Sequence, residues 1–376
     1  MQSLQDNWLT VLTSYFYNSK LYNIVEDDFM RICVFADNHF CESSSIIRSQ
    51  GKKYSSRLEN QIQSINWVEE LATKECCDVV ICLGDFFDKP TLSDQELTAL
   101  KDIKWNDLPH YIIVGNHESS VNGLSYNSTK ALESTSRHIV DKITPMSIGG
   151  LNVLLMPYII ESERKSLKEY GADISTIIFS HNDIKGLQMG LYCSQEGFSI
   201  DDIEHNCWMF INGHIHNGST FCNNGINLGC LTGLNFSEDA FKYKHNAIII
   251  DVDEEPIGCA VSSMKINYYE NPFAYNFYKI EINAEQDLRE LERIKNNSIL
   301  SIKCADYPNL VNRLKETLET YKDKIIEHRI IITHNSSEDV DVVEDFSMNH
   351  IEKFIEFCKS RIDDDILDIE LGEVCK

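Results

Sequence analysis

Five short apolar runs, each breaking into polar residues able to do chemistry, constrain this chain more than any other feature. Residues 31–36 (RICVFA) lead into Asp37-Asn38-His39, 78–83 (DVVICL) into Gly84-Asp85, and 111–114 (YIIV) into Gly115-Asn116-His117-Glu118. Residues 177–179 (IIF) lead into Ser180-His181-Asn182-Asp183, and 208–211 (WMFI) into Asn212-Gly213-His214-Ile215-His216. Runs of this length, bounded by Gly, Asn and Asp, predict buried strands. Between the first two, Leu58, Ile62, Ile65, Val68 and Ala72 recur at helical spacing. Strand, helix, strand predicts a crossover unit and an α/β core. Open α/β sheets place their sites at the carboxyl ends of such strands, where these polar groups fall.

The polar residues themselves suggest a metal centre. Asp37, His39, Asp85, Asn116, His181, His214 and His216 supply imidazole, carboxylate and amide donors, a set that suits manganese, iron or zinc. Seven ligands exceed the needs of one ion. They suit two ions about 3.5–4 Å apart sharing a carboxylate, the arrangement used for in-line displacement at phosphorus. In an extended segment His214 and His216 point to one side with Ile215 turned away, and Asp37 and His39 share that spacing.

In order and spacing, "DNH", "GDFFD", "GNHE", "SH" and "GHIH" resemble the motif set of the calcineurin-like metallophosphoesterase superfamily. Each motif alone is weak, but the ordered set over residues 37–216 is specific. A narrower resemblance reaches from residue 30 to about 335: "NLGCLTGLNFSED" and "ENPFAYNFYKIEI" are similar to the SbcD-type DNA-repair nuclease subunit, including those of tailed phages. The resemblance implies a metallophosphoesterase β-sandwich flanked by helices, an α/β fold, with a smaller α+β capping domain that contacts DNA. It also implies a C-terminal helix docking on an SbcC-type coiled-coil ATPase, and pairing of two copies.

Carried over by position, Asp37, His39, Asp85 and His216 hold the first ion. Asp85 bridges to the second, which Asn116, His181 and His214 complete. His117 is the catalytic group that stabilises or protonates the leaving oxygen, and Asp88 orients a ligand or His117. Asn38, Glu118 and Asn182 depart from the residues usual in relatives, without removing a ligand. The implied cofactors are two divalent ions, with manganese expected ahead of magnesium, iron or zinc.

Composition sets limits on these readings. The 376 residues allow about two domains, and the net charge of −25 argues against a general basic surface for nucleic acid. Bound cations would reverse the local field at a metal centre. The 13 cysteines include no C-x-x-C pair and read as reduced core residues. No apolar stretch is long enough to cross a bilayer and no secretory signal is evident, so the expected location is cytoplasmic, the host's if the chain is phage-encoded.

The expected organisation is an N-terminal extension (1–29), a nuclease domain (30–255), a capping domain (256–335) and an acidic tail (336–376). The tail carries an amphipathic face of Ile351, Phe354, Ile355, Cys358 and Ile362 that either folds back or docks on a partner. Residues 338–376 hold 13 acidic and 4 basic residues, a solvated run. Lys101, Lys104, Lys242 and Lys244 read as solvated lysines, while Asn235, Phe236 and Ser237 are candidates to line a DNA cleft. Three functions follow in order: a DNA exo/endonuclease subunit with an SMC-like ATPase, a free-standing phosphodiesterase or phosphatase for a small substrate, and a non-catalytic scaffold of the same fold.

Overall fold

The computed structural model describes residues 29–43, 53–120, 123–189, 192–253, 263–333 and 342–344. Residues 1–28 and the predicted C-terminal helix lie outside that set. The chain forms two compact units. One comprises Met1–Leu234 and Tyr243–Ala274, the other Asn235–Lys242 and Tyr275–Lys376.

The strands of the first unit are β1 (Phe29–Phe35), β2 (Val79–Cys82), β3 (His110–Ile113), β4 (Arg137–Val140), β5 (Thr144–Ile148) and β6 (Leu151–Met156). They continue with β7 (Ile177–Ser180), β8 (Met209–Asn212), β9 (Ser219–Cys222), β10 (Gly225–Asn227), β11 (Asn246–Asp253) and β12 (Met264–Glu270). They build two six-stranded sheets, ordered β12-β11-β1-β2-β3-β4 and β9-β10-β8-β7-β6-β5. β1 to β4 run parallel in the first sheet, and β6, β7, β8 and β10 run parallel in the second. Antiparallel strands close the β12 side of the first sheet and both edges of the second, while β4 leaves the first sheet with one parallel edge.

Alternation along each strand explains the layers, because successive side chains face opposite sides of a sheet. Ile32, Val34, Val79, Ile81, Ile248 and Ile250 of one sheet meet Val153, Leu155, Ile177, Phe179 and Ile211 of the other in one core between the sheets. The odd partners Cys33, Phe35, Val80 and Cys82 turn the other way, onto helix α1 (Ser56–Lys74). Leu58, Ile62, Ile65, Val68 and Ala72 are the face α1 buries there. Ser55 caps that helix, accepting the Leu58 N–H at 3.2 Å. On the far side of the second sheet, Leu154, Met156, Ile178 and Phe210 pack with Ile203 of a short helix (Ile200–Asn206). The predicted sandwich flanked by helices is therefore the observed architecture.

The second unit holds a four-stranded sheet in the order β13 (Asn276–Ile282), β14 (Ser298–Ala305), β15 (Ile325–Thr333), β16 (Val342–Glu344). Helix α2 (Pro308–Thr320) buries Leu310, Leu314 and Leu318 against Ile280, Ile282, Leu300 and Ile302. This is an α+β layer, but its start differs from the sequence expectation. Residues 264–270 belong to the first unit, where β12 pairs antiparallel with β11, so the units divide at Ala274/Tyr275 and not at residue 255. Asn271, only 3% exposed, marks the crossing: it donates its amide to Ser64 Oγ and to the Leu231 carbonyl, both at 2.9 Å. Among the described residues no helix is long and apolar enough to cross a membrane.

Phe179 is fully buried between the sheets. Phe179→Ala should cost about 3–5 kcal/mol of unfolding free energy, whereas Tyr126→Ala, at a position 72% exposed, should stay within about 0.5 kcal/mol. Urea unfolding followed by circular dichroism measures both.

Candidate metal centre

Every parallel strand that carries a motif ends on the same edge of its sheet. Phe35 pairs with Cys82 and Cys82 with Ile112, so the loops after β1, β2 and β3 emerge together. Ser180 pairs with Asn212, which does the same for the loops after β7 and β8. Backbone bonds then join the loops. Asp37 N–H donates to the Gly84 carbonyl at 3.1 Å and His39 N–H to that of Asp85 at 2.9 Å. Across the sandwich, His214 N–H donates to the Asp37 carboxylate at 3.0 Å.

The chain is strained where these loops turn. Asp37, His39, Asp85 and His214 have φ of 49°, 50°, 47° and 72°, making up four of the six non-glycine residues with positive φ among those described. Such residues cost about 1–3 kcal/mol each and cluster at functional sites. Two motif glycines answer to close approach. A Cβ on Gly115 would overlap Asp85 Oδ1, and one on Gly84, itself at φ 107°, would lie 2.5 Å from His181 Nδ1.

The site falls into two overlapping groups. Asp37, His39 and His216 bring ligand atoms within 4.8 Å of one another, as do Asp85, His181 and His214, and a third set, His39, Asp85 and His117, joins the two toward the open side. Asp85 reaches both, with Oδ2 3.7 Å from His39 Nε2 and 3.2 Å from His181 Nε2. Asn116 joins the second group, its Oδ1 lying 3.1 Å from His181 Nε2 and 2.9 Å from His214 Nδ1. All seven residues singled out from the sequence are thus gathered at one edge.

The outer nitrogens of three histidines decide what the inner ones can do. His39 Nδ1 lies 2.8 Å from Asp88 Oδ1, His181 Nδ1 lies 2.8 Å from the Leu83 carbonyl, and His214 Nε2 lies 3.0 Å from Asp183 Oδ1. Each partner is an acceptor, so each outer nitrogen carries the hydrogen and each neutral ring turns a lone pair inward. In the second group, then, two imidazole nitrogens, an amide oxygen and a carboxylate oxygen converge, and once His181 has lost its second proton no donor remains among them. In the first, His39 Nε2 is buried without a hydrogen-bond partner among the described residues. Acceptors facing acceptors at such distances need positive charge among them, a proton on His181 or a bound cation. This donor set fits a divalent cation in each group.

Without an ion, a proton takes that place. Burial opposes charge on His181, yet the Asp85 carboxylate overrides it and lifts the imidazole to about 9. Burial also raises Asp85, but His181, His39 and His117 hold it well below the usual carboxylate range. His39 is lowered, burial outweighing its carboxylate neighbours. His117 is raised to about 9 by its hydrogen bond to Asp88. Asp88 lies below the carboxylate range in turn, because His117 and His39 outweigh its partial burial.

His117 and Asp88 sit at the open side of the cluster, their side chains 41% and 44% exposed. His117 Nδ1 is held by the Asp88 carbonyl at 3.1 Å and by its Oδ1 at 3.4 Å, so Nε2 is the nitrogen left for other contacts. Its backbone N–H donates to Asp85 Oδ1 at 3.0 Å, and its ring packs edge-on to His39 with centroids 4.7 Å apart. Asn235, Phe236 and Ser237 belong to the second unit, where Phe236 packs against Phe277 and under Arg329. His110, left among the ordinary histidines, is buried and bonded to Glu69 at 3.0 Å.

Several contributors were not legible as functional residues. Glu118 accepts from the N–H groups of Gly115 (2.6 Å), Phe87 (3.0 Å) and Asp85 (3.2 Å), pinning two motif loops. Burial and the Asp85 charge raise it to about 8 against those donors. Gln61 on α1 donates to the His39 carbonyl and accepts from Cys41 N–H. Asn182 holds the loop after β7 through the Pro157 carbonyl, Ile159 N–H and Asn212. Asp183 stands next to motif residues, but nothing in its spacing announces its bond to His214.

Against known proteins, the family model of calcineurin-like phosphoesterases matches residues 30–250. The chain belongs to this family. Solved structures with which the phosphoesterase aligns include a dimetal phosphatase from Danio rerio, at 12% identity over 64% of this chain and 99% of that one, with a TM-score of 0.33. The protein TT1561 of Thermus thermophilus aligns at 10% identity over 64% and 99%, with a TM-score of 0.35. No curated protein matches significantly. Family membership and the Asp/His clusters together mark a metal-dependent hydrolase with a site for two divalent ions.

Gly115→Ala should abolish binding of at least one ion, because the added methyl group overlaps the Asp85 oxygen shared by both groups. Metal content after dialysis, measured by plasma mass spectrometry, should fall while the circular dichroism spectrum stays that of the unsubstituted protein.

Proposed function

We propose that the phosphoesterase is a DNA exo/endonuclease that hydrolyses phosphodiester bonds at ends, as the nuclease subunit of an SbcCD-like recombination and repair complex. The observation that carries this reading is the second folded unit, an α+β layer built from residues after the last metal motif. A small-ester hydrolase needs no such unit, whereas a nuclease capping domain has this class and place in the chain. Manganese is the expected metal, and DNA, a coiled-coil ATPase and a second copy of this chain are the expected partners. The net charge of −25 fits recruitment to DNA by the ATPase better than unaided binding.

Bound in the two groups, divalent cations polarise phosphoryl oxygens and lower the pKa of water toward neutrality. Asp37, His39, Asp85 and His216 hold the first, and Asp85, Asn116, His181 and His214 the second. His117 acts at the open side. Its Nδ1 hydrogen is committed to Asp88, and that hydrogen bond raises its pKa, favouring a proton on Nε2. Nε2 can therefore donate to the leaving oxygen as the phosphorus–oxygen bond breaks. Asp88 fixes that ring and, through the same Oδ1, the His39 ring as well.

The net charge itself favours one second reading, a free-standing phosphodiesterase or phosphatase for a small substrate, since a chain this acidic repels long polyanions. Purified protein, manganese and end-labelled duplex DNA, run beside a chromogenic phosphodiester, separate the two. Manganese-dependent shortening of DNA, reduced about 10²–10⁴-fold by His117→Ala with metal content unchanged, is the expected result. Turnover of the small ester with DNA left intact, with the ATPase partner present, would replace it by the second reading.

A further inference from the structure

Three histidines of the cluster have their outer nitrogens fixed, and the partners differ in kind. His181 is held by a backbone carbonyl and His39 by Asp88, a position the family motif marks. His214 is held by Asp183, which no motif includes. Its Nε2 lies 3.0 Å from Asp183 Oδ1, with side chains only 10% and 16% exposed. Asp183 is itself locked in place. Its carbonyl accepts Phe198 N–H at 3.0 Å, and a Cβ on Gly197 would overlap that same carbonyl, so the two chain segments are in close contact there. The Arg164 guanidinium, 6% exposed, stands 3.9 Å from Asp183 Oδ2. It is held there by the Ile159 carbonyl at 2.8 Å and Asn182 Oδ1 at 3.1 Å, and it stacks over the Phe198 ring.

We infer that Asp183 is a positioning residue for the second cation: it takes the Nε2 hydrogen of His214 and so commits Nδ1, 2.9 Å from Asn116 Oδ1, to the metal as a lone pair. The inference rests on the two-cation reading of the cluster. His214 is the one ligand of the second group whose tautomer depends on an ionisable side chain. His181 is fixed by a carbonyl that cannot be mutated away, and Asn116 and Asp85 have no tautomer to choose. The strained φ of 72° at His214 sets its backbone, and Asp183 sets its ring. Carboxylate partners of metal-bound histidines change metal affinity by about 10–100-fold when removed, and the loss here should fall on one ion of the two.

The test is Asp183→Asn in the full-length protein, with Asp183→Ala beside it. The first variant is isosteric but can offer Nε2 an amide hydrogen, which would move the ring hydrogen to Nδ1 and block the ligand. Calorimetric manganese titration should show the second binding step weakened about 10–100-fold and the first unchanged. Long-range nitrogen-15 spectra of the ion-free protein should show His214 moving from the Nε2–H to the Nδ1–H tautomer. Asp183→Ala, which removes the acceptor without adding a donor, should fall between. An unchanged second step with an unchanged tautomer would overturn the inference. So would equal weakening of both steps with a lowered ion-free melting temperature, the pattern of a merely structural residue. If the unsubstituted protein takes up fewer than two ions, the two-cation reading fails, and an unmoved tautomer then counts against Asp183 by itself.

Discussion

Oxygen and nitrogen acceptors that face one another hold the logic of this molecule. His181 Nε2, His214 Nδ1, Asn116 Oδ1 and Asp85 Oδ2 converge within hydrogen-bonding distances, and the second proton that His181 takes up beside Asp85 is the one hydrogen they can share. Such a cluster needs positive charge at its centre, a proton on His181 or a cation in its place. The rest of the first unit can be understood as what forces these groups together. Two sheets deliver five loops to one edge, backbone bonds from Asp37 and His39 join the loops of one sheet, and the bond from His214 N–H to Asp37 ties that sheet to the other.

Holding the cluster has an energetic cost that the core must offset. Four ligands sit at positive φ, at about 1–3 kcal/mol each, and Asp85 is a carboxylate that is 1% exposed. Against this stands the double-sided burial of the sheets. Phe179, Ile211, Ile32 and Ile81 fill the space between them, while Phe35 and Cys82 pack on α1. Each fully buried aliphatic or aromatic side chain contributes about 1.5–3 kcal/mol. The site therefore belongs at strand ends, where backbone strain is absorbed by rigid elements on both sides.

How much of this the sequence discloses depends on whether a residue acts through its type or through its neighbours. The strands were readable because apolar runs buried on both faces have few alternatives, and the ligands because histidines and carboxylates recur where those runs end. The partners that orient the ligands were not. The Leu83 carbonyl has no side-chain signature at all, and Asp183 and Gln61 meet the cluster only through tertiary placement. Asp88 was readable only through the motif, which suggested a helper without saying that one oxygen would serve two histidines. The division between units was misjudged for a related reason. Residues 264–282 are rich in aromatics and strand-like on both sides of Asn271, yet that buried residue splits them, with β12 in the first sheet and β13 in the second unit. Periodicity identifies a strand but not the sheet it joins.

The central claim is that this edge holds two divalent ions sharing Asp85. Crystals grown with manganese and measured at its absorption edge test it directly. The account predicts two anomalous peaks about 3.5–4 Å apart, one bounded by Asp37, His39 and His216, the other by Asn116, His181 and His214, with Asp85 touching both. A single peak, or two peaks with Asp85 bound to only one, would contradict it.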